Sequence, residues 1–344
     1  MEEKKHVRRK RYKGKYPKRF SEKYKEMNPD KYQETVEKVI KKGNTPAGMH
    51  RSIMVDEIID FFNIKPNEIG LDLTVGFGGH TKEMLDKLNH TGHIYGIDQD
   101  SLELPKTNER LTALGYSDKD FSLHNINFKD LDKIGNHKYD FILADLGVSS
   151  MQIDDPKRGF SFREDGPLDL RMNPNIGVPA SVRLLELSQK EIEGMLIENS
   201  DEIYAKEISS EITIEKQKGN FIDTTKGLYQ VISNALKNLP KGIYEEQLKK
   251  ATARTFQALR IDVNSEYEVL YELLEKLPLY LNENGRVAII TFHSGEDRLV
   301  KKAFKQFYNE GVFKMIDGPI IPSKDEVYQN PRARSAKLRV AIKS

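Results

Sequence analysis

The 344-residue chain contains no cysteine and no tryptophan. Without cysteine there is no disulfide, no thiolate zinc site and no thiol nucleophile. Apolar runs near the ~18 residues of a membrane span are also missing, so no transmembrane helix is expected. The amino terminus lacks both the apolar stretch of a secretory signal and the serine richness of a transit peptide, which predicts a cytoplasmic protein. A large excess of one charge is missing too: 55 Lys and Arg face 53 Asp and Glu, for a net charge of +2. A hydrophobic fraction of 38% against 31% charged residues describes a globular chain with a full core.

Charge is nevertheless unevenly placed. Residues 4–25 hold twelve Lys or Arg against Glu22 alone, the composition of an arm that touches nucleic acid or of a solvated tail. "NPDKYQETVEKVIKKG" then reads as a short polar helix, with Asn28 as cap, Pro29 at the first turn and Gly43 as stop. This arm is assigned to residues 1–45.

Beyond it the texture becomes that of an α/β domain. "IGLDLTV", "GHIYGID", "FSLHNI", "YDFILADL" and "RVAIITF" read as strands separated by helical patterns, as in a parallel, doubly wound sheet. "GVFKMID" and "KLRVAIKS" suggest an antiparallel pair at its edge. Strand signals stop between about 160 and 248, where helix-period apolar positions predict an inserted helical domain. The expected division is 46–158 and 249–344 for the α/β domain, and 159–248 for the insertion. "TFQALRIDVNSEYEVLYELLEKL" reads as the helix that returns the chain to the sheet.

The chemistry begins at "LDLTVGFGGH". A triphosphate loop would need Lys-Ser/Thr after the glycines, and a dinucleotide loop would need glycine where Thr81 stands. An acid at the strand end followed by Gly-x-Gly, here Asp72, Gly76 and Gly78, better fits S-adenosylmethionine, with backbone close to the methionyl group and an acid for its ammonium. Asp98 ends the next strand, where a carboxylate can accept from both ribose hydroxyls. A nicotinamide cofactor would use the same acid. Asp145 ends the fourth strand, facing the reactive end of such a cofactor.

Several longer stretches carry a resemblance: "GGHT", "DLGVSSMQIDDPKRGFSFREDGPLDLRM", "ARTFQALRIDVNSE", "FHSGEDRLVK" and "NPRARSAKLR". In order, from about His50 to Ser344, they closely resemble the RsmH (MraW) family of ribosomal RNA methyltransferases. The resemblance implies a Rossmann-like class I methyltransferase domain with an all-helical insertion for RNA recognition. It also implies methyl transfer from S-adenosylmethionine to N4 of a cytidine in the decoding region of 16S rRNA, within the small ribosomal subunit. Family cofactor contacts map onto Gly78, Gly79, His80, Asp98, Phe128, Asp145 and Gln152. The chain departs from the family at Gly295, where Leu is common, and in its long basic arm, which leaves housekeeping member and paralogue both open.

Asp145 is the candidate catalytic acceptor for the target amine, with a backbone carbonyl at Leu146 or Gly147 as the alternative and cofactor contact as its competing role. His293 is a second catalytic candidate, in a stretch that also reads as a helix start with Ser294 capping and Asp297 completing a capping box. Arg158, Phe160, Phe162 and Arg163 have the composition for phosphate contact and base stacking, or for core packing. Arg332, Arg334, Lys337 and Arg339 read as phosphate contacts at the crevice rim. His90 and His93 lack a third ligand, so no metal is expected. Pyrimidine C5 methylation, which ordinarily needs a cysteine, is excluded. An oxidoreductase and a non-catalytic assembly factor remain the rival classes.

Overall fold

The structure, a computed structural model, describes residues 52–344; the basic arm and the helix expected over 28–43 lie outside them. The first elements are α1 (Val55–Phe62), β1 (Ile69–Asp72), α2 (Gly79–Leu88), β2 (His93–Ile97), α3 (Leu104–Ala113), β3 (Phe121–His124) and β4 (Tyr139–Asp145). Their apolar residues recur at strand or helix period, so each element buries one face or one stripe. Helix α1 shows the pattern: Val55, Ile58 and Phe62 are buried while Asp56 and Asp60 point outward.

After β4 come α4 (Ser150–Asp154), α5 (Ala180–Glu186), α6 (Gln189–Ser200), α7 (Ala205–Gln217), α8 (Thr225–Ala235), α9 (Lys241–Asn264) and α10 (Glu266–Tyr280). The chain then returns through β5 (Leu281–Thr291), α11 (Ser294–Asn309), β6 (Phe313–Ile320), α12 (Lys324–Gln329) and β7 (Lys337–Lys343). The seven strands form one sheet in the order β3-β2-β1-β4-β5-β7-β6. Strands β1 to β5 run parallel, and β7 is antiparallel to both β5 and β6. The winding reverses between β1 and β4, and ligands of open α/β sheets bind at the strand carboxyl ends beside such a switch. No helix among the described residues is long and apolar enough to cross a membrane.

Helices α5 to α9 surround a core of their own, including Leu184, Ile192, Ile208, Ile232 and Leu259, while two further clusters cover the faces of the sheet. The boundary expected after 248 is corrected: it falls inside α9, whose Leu248, Ala251, Phe256 and Leu259 all pack into the helical core. The single helix expected over 255–277 is also two. Ser265 turns left-handed at φ 50° and breaks it between α9 and α10. Ile232 is fully buried in the helical core, so Ile232→Ala is expected to cost ~2–5 kcal/mol through lost burial and a cavity. A lowered urea midpoint with unchanged donor affinity at the sheet would show it.

Candidate active site

The turn after β1 presents bare backbone. Gly76 adopts φ 49°, and a Cβ there would find nothing nearer than the Thr74 carbonyl oxygen at 3.9 Å. Asp98, one residue past β2, clamps this turn: its Oδ2 accepts from the Gly76 amide at 2.7 Å and its Oδ1 from the Asp100 amide at 2.8 Å. Each oxygen retains a second lone pair for a ligand hydroxyl. Burial, with the nearby Asp100 and Asp72 charges, pushes the Asp98 carboxyl up to about 6 despite the two amide bonds.

Two members of the expected contact set sit behind the turn instead. Asp72 is 1% exposed and does not line the cavity. It accepts from Thr81 Oγ1 at 2.6 Å and from the Thr74 amide at 3.1 Å, so it braces the turn rather than meeting an ammonium group. Gly78 precedes α2 at φ 85°, and a Cβ there would press on Thr107 Cγ2 at 2.8 Å. Its lack of a side chain lets α2 meet α3.

Asp145, at the tip of β4, donates its amide to Thr74 Oγ1 at 2.7 Å, which ties β4 to the glycine turn. Its buried Oδ1 has no hydrogen-bond partner among the described residues, an exception that calls for a function because buried polar atoms are nearly always satisfied. Oδ2 lies 3.7 Å from His80 Nδ1. His80 is buried at the start of α2 with Nε2 2.8 Å from the Ile53 carbonyl oxygen, so Nε2 carries a proton and Nδ1 is the ring nitrogen that faces Asp145. Burial first, then the charges of Asp72 and Glu296, push the Asp145 carboxyl up to about 8.

Gly76, His80, Asp98 and Asp145 line one cavity of about 630 Å³ at the switch point, joined by Gly79, Phe128 and Gln152. The residues fit an adenosyl donor: a carboxylate for the ribose, Phe128 and Ile126 beyond β3 for an aromatic base, and an open backbone turn for the amino-acid tail. Gln152 also has an internal role. Its Nε2 donates to Asp100 at 2.7 Å and its Oε1 accepts from the Ser149 amide, closing a capping box at α4. Asp100, which strand-end spacing does not mark, is 2% exposed and also binds Arg158.

Residues 47–344 match the model of the MraW methylase family. The chain belongs to that family. It is 69% identical over 343 residues to "Ribosomal RNA small subunit methyltransferase H 2" of Acholeplasma laidlawii (strain PG-8A), covering 100% of both chains. It is 56% identical to "Ribosomal RNA small subunit methyltransferase H 1" of Lachnoclostridium phytofermentans (strain ATCC 700394 / DSM 18823 / ISDg), covering 98% of this chain and 93% of that one. "Ribosomal RNA small subunit methyltransferase H" of Clostridioides difficile (strain 630) is 38% identical and covers 86% of this chain but 98% of its own length. The full-length agreement with the first relative takes in the basic arm. As an MraW methylase the chain is a methyltransferase, and S-adenosylmethionine is its methyl donor.

The second catalytic candidate of the methylase, His293, caps α11 itself, which corrects the assignment of that cap to Ser294. Its Nδ1 accepts from the Glu296 amide at 3.4 Å, and Glu296 Oε2 accepts from the Phe292 amide at 2.9 Å. His293 Nε2 is 3.1 Å from Glu296 Oε1 but off the line of a hydrogen bond. Burial pushes Glu296 up, yet the nearby His293 imidazole, the Arg260 guanidinium and the Phe292 amide outweigh it and hold the carboxyl below its usual range. Glu266, His293 and Glu296 bring one potential ligand atom each within 4.8 Å of the others. The cation that serves Glu266 is Arg260, which makes two 2.8 Å bonds to it. Glu296, Glu266 and Arg260 line the cavity, whereas His293 lines a neighbouring one.

Burial sorts the expected RNA contacts of the methylase. Arg158 is 9% exposed, pairs with Asp100 at 2.8 Å and donates to the Arg171 and Met172 carbonyls, so it holds loops together. Phe160 and Phe162 pack against the helical core, with Phe162 stacked on Tyr229 at 5.8 Å. Arg339 is 8% exposed and bound to Asp297 at 2.7 Å. Those four serve structure. Arg163 and Arg334 are exposed, Arg332 is paired with Asp154 at 2.9 Å, and Lys337 lies 3.4 Å from Asp297. Arg332 and Arg334 line the cavity mouth.

Proposed function

We propose that this methylase transfers a methyl group to N4 of a cytidine in the decoding region of 16S rRNA, within the small ribosomal subunit. The observation that carries this reading is Asp145 Oδ1, a buried acceptor at the tip of β4 without a hydrogen-bond partner among the described residues. An exocyclic amine is a weak nucleophile because its lone pair is delocalised into the ring, and it needs an acceptor for its hydrogens as it pyramidalises. Asp145 supplies that acceptor and fixes the approach of the amine. Bound S-adenosylmethionine supplies an electrophilic methyl group on a cationic sulfur. As the carbon–nitrogen bond forms and the sulfur–carbon bond breaks, the amine gives up one proton, which Asp145 takes.

Family resemblance and the names of the relatives support RNA as the substrate, and flipped or unpaired bases of RNA can enter such a crevice. Arg334 and Arg163 supply phosphate contacts in this reading. Arg334→Ala is expected to weaken RNA binding and to reduce the slope of log affinity against log salt by ~1, with donor affinity unchanged. An unaltered slope would remove Arg334 from the interface.

The functional test is expression of the chain in a bacterial strain that lacks N4-methylation of 16S rRNA cytidine. Mass spectrometry of the rRNA is expected to show the modification restored at one position. Its absence, with the protein expressed and folded, would reject the proposed target.

A further inference from the structure

The cavity that holds Asp145 is also lined by a half-buried cation. Arg260 lies near the end of α9, six residues before Glu266 opens α10, and the left-handed Ser265 folds the two together. Arg260 Nε and Nη2 donate to the two oxygens of Glu266, each at 2.8 Å. This fork fixes the plane of the guanidinium and leaves Nη1 with no hydrogen bond among the described residues. An ion pair serving only to join α9 to α10 belongs in their contact, yet both partners line the cavity. Glu296 lines the same cavity as Arg260 and Asp145. The wall of the crevice therefore carries an open acceptor and an open cationic donor.

That pairing matches one pyrimidine and opposes the other. Cytosine presents an amine donor beside the N3 acceptor, while uracil presents the O4 acceptor beside an N3 donor. Resting on the target proposed above, we propose that Arg260, held flat by Glu266, is the specificity-determining donor that reads the N3 acceptor of the target cytosine while Asp145 accepts from its amine. A buried donor left unpaired rejects the wrong base more strongly than a missing apolar contact does. The stretch "ARTFQALRIDVNSE" carries both residues of the fork but shows no sign of it, because the pairing depends on the turn at Ser265.

The test is a double-mutant cycle on the full chain, using small subunits whose 16S rRNA is ligated from fragments so that the target is cytidine or 3-deazacytidine, in which C–H replaces N3. The intrinsic effect of 3-deazacytidine on amine reactivity is common to all enzymes and cancels in the cycle. Beyond that shared effect, 3-deazacytidine is expected to cost the wild type roughly 10- to 100-fold in kcat/KM, as for a hydrogen bond to a charged group. Arg260→Met is expected to lose a similar factor on cytidine and little more on 3-deazacytidine. Arg260→Gln, which can still bond Glu266, provides a second variant should the first fail to fold. Equal sensitivity to 3-deazacytidine in wild type and a folded variant would overturn the assignment. So would a tenfold or greater loss of S-adenosylmethionine affinity by calorimetry, which would place Arg260 on the donor instead. Failure of the wild type on cytidine itself would count against the target, a result distinct from an additive cycle.

Discussion

Asp145→Asn is expected to slow methyl transfer within a single turnover by ~10²–10⁴-fold, the range for loss of a positioned proton acceptor. Affinity for S-adenosylmethionine is expected to stay within a few-fold, because the turn is held by Asp98 and Thr74 rather than by the Asp145 carboxylate. Asn keeps an oxygen acceptor but cannot take the proton, so it separates holding the amine from deprotonating it. Burial, reinforced by Asp72 and Glu296, pushes the carboxyl up to about 8. The ionised form is the active one, so it is the minor species below pH 8. The rate of the wild type should rise about tenfold per pH unit below that point and level off above it, whereas the residual rate of Asp145→Asn should lack this step. Rapid-quench measurements across pH 6 to 9 would decide, and a flat wild-type profile would show that Asp145 is not the acceptor.

The second large effect falls on binding. Asp98→Ala removes the acceptor for two ribose hydroxyls, each bond to a charged group being worth ~1.5–3 kcal/mol. It also releases the amides of Gly76 and Asp100, which lie 2.7 and 2.8 Å from the carboxylate. The expected loss of S-adenosylmethionine affinity is roughly 10²- to 10³-fold. With the carboxyl pushed up to about 6, wild-type affinity should hold above that pH and decline below it, as protonation removes the acceptor. Calorimetric titration of both proteins measures this directly. Wild-type affinity in the Ala variant would mean that the ribose lies elsewhere.

These two positions are legible in the sequence because they stand at strand ends, where period-two apolar runs stop and a carboxylate is left facing the crevice. The sheet was legible for the same reason. Its limits were less so: β5 begins at Leu281, because "LNENG" reads as a polar turn before the apolar run, yet Leu281 is fully buried and pairs with Tyr139. The break at Ser265 left no mark, since neither glycine nor proline accompanies it.

Charge was the least reliable guide. Arg158 and Arg163 look alike in "KRGFSFRE", yet one is buried against Asp100 and the other is exposed. What separates them is a carboxylate fifty-eight residues away in the chain. Phe160 and Phe162 similarly turn inward because the helical core beside them, including Phe256 on α9, needs their area. Local composition carries the inventory of polar and aromatic groups, and only the folded chain says which are already satisfied.

The central claim is that the crevice joins a sulfonium methyl group to a cytosine amine at Asp145. Its most direct measurement uses the purified chain, S-adenosylmethionine bearing a trideuterated methyl group, and small subunits lacking N4-methylcytidine, followed by nuclease digestion and fragment mass spectrometry. The account predicts one trideuterated methyl per subunit on the exocyclic nitrogen of a single decoding-region cytidine, absent with Asp145→Asn. Label on a ribose oxygen or a ring carbon, or an equal yield from Asp145→Asn, would contradict it.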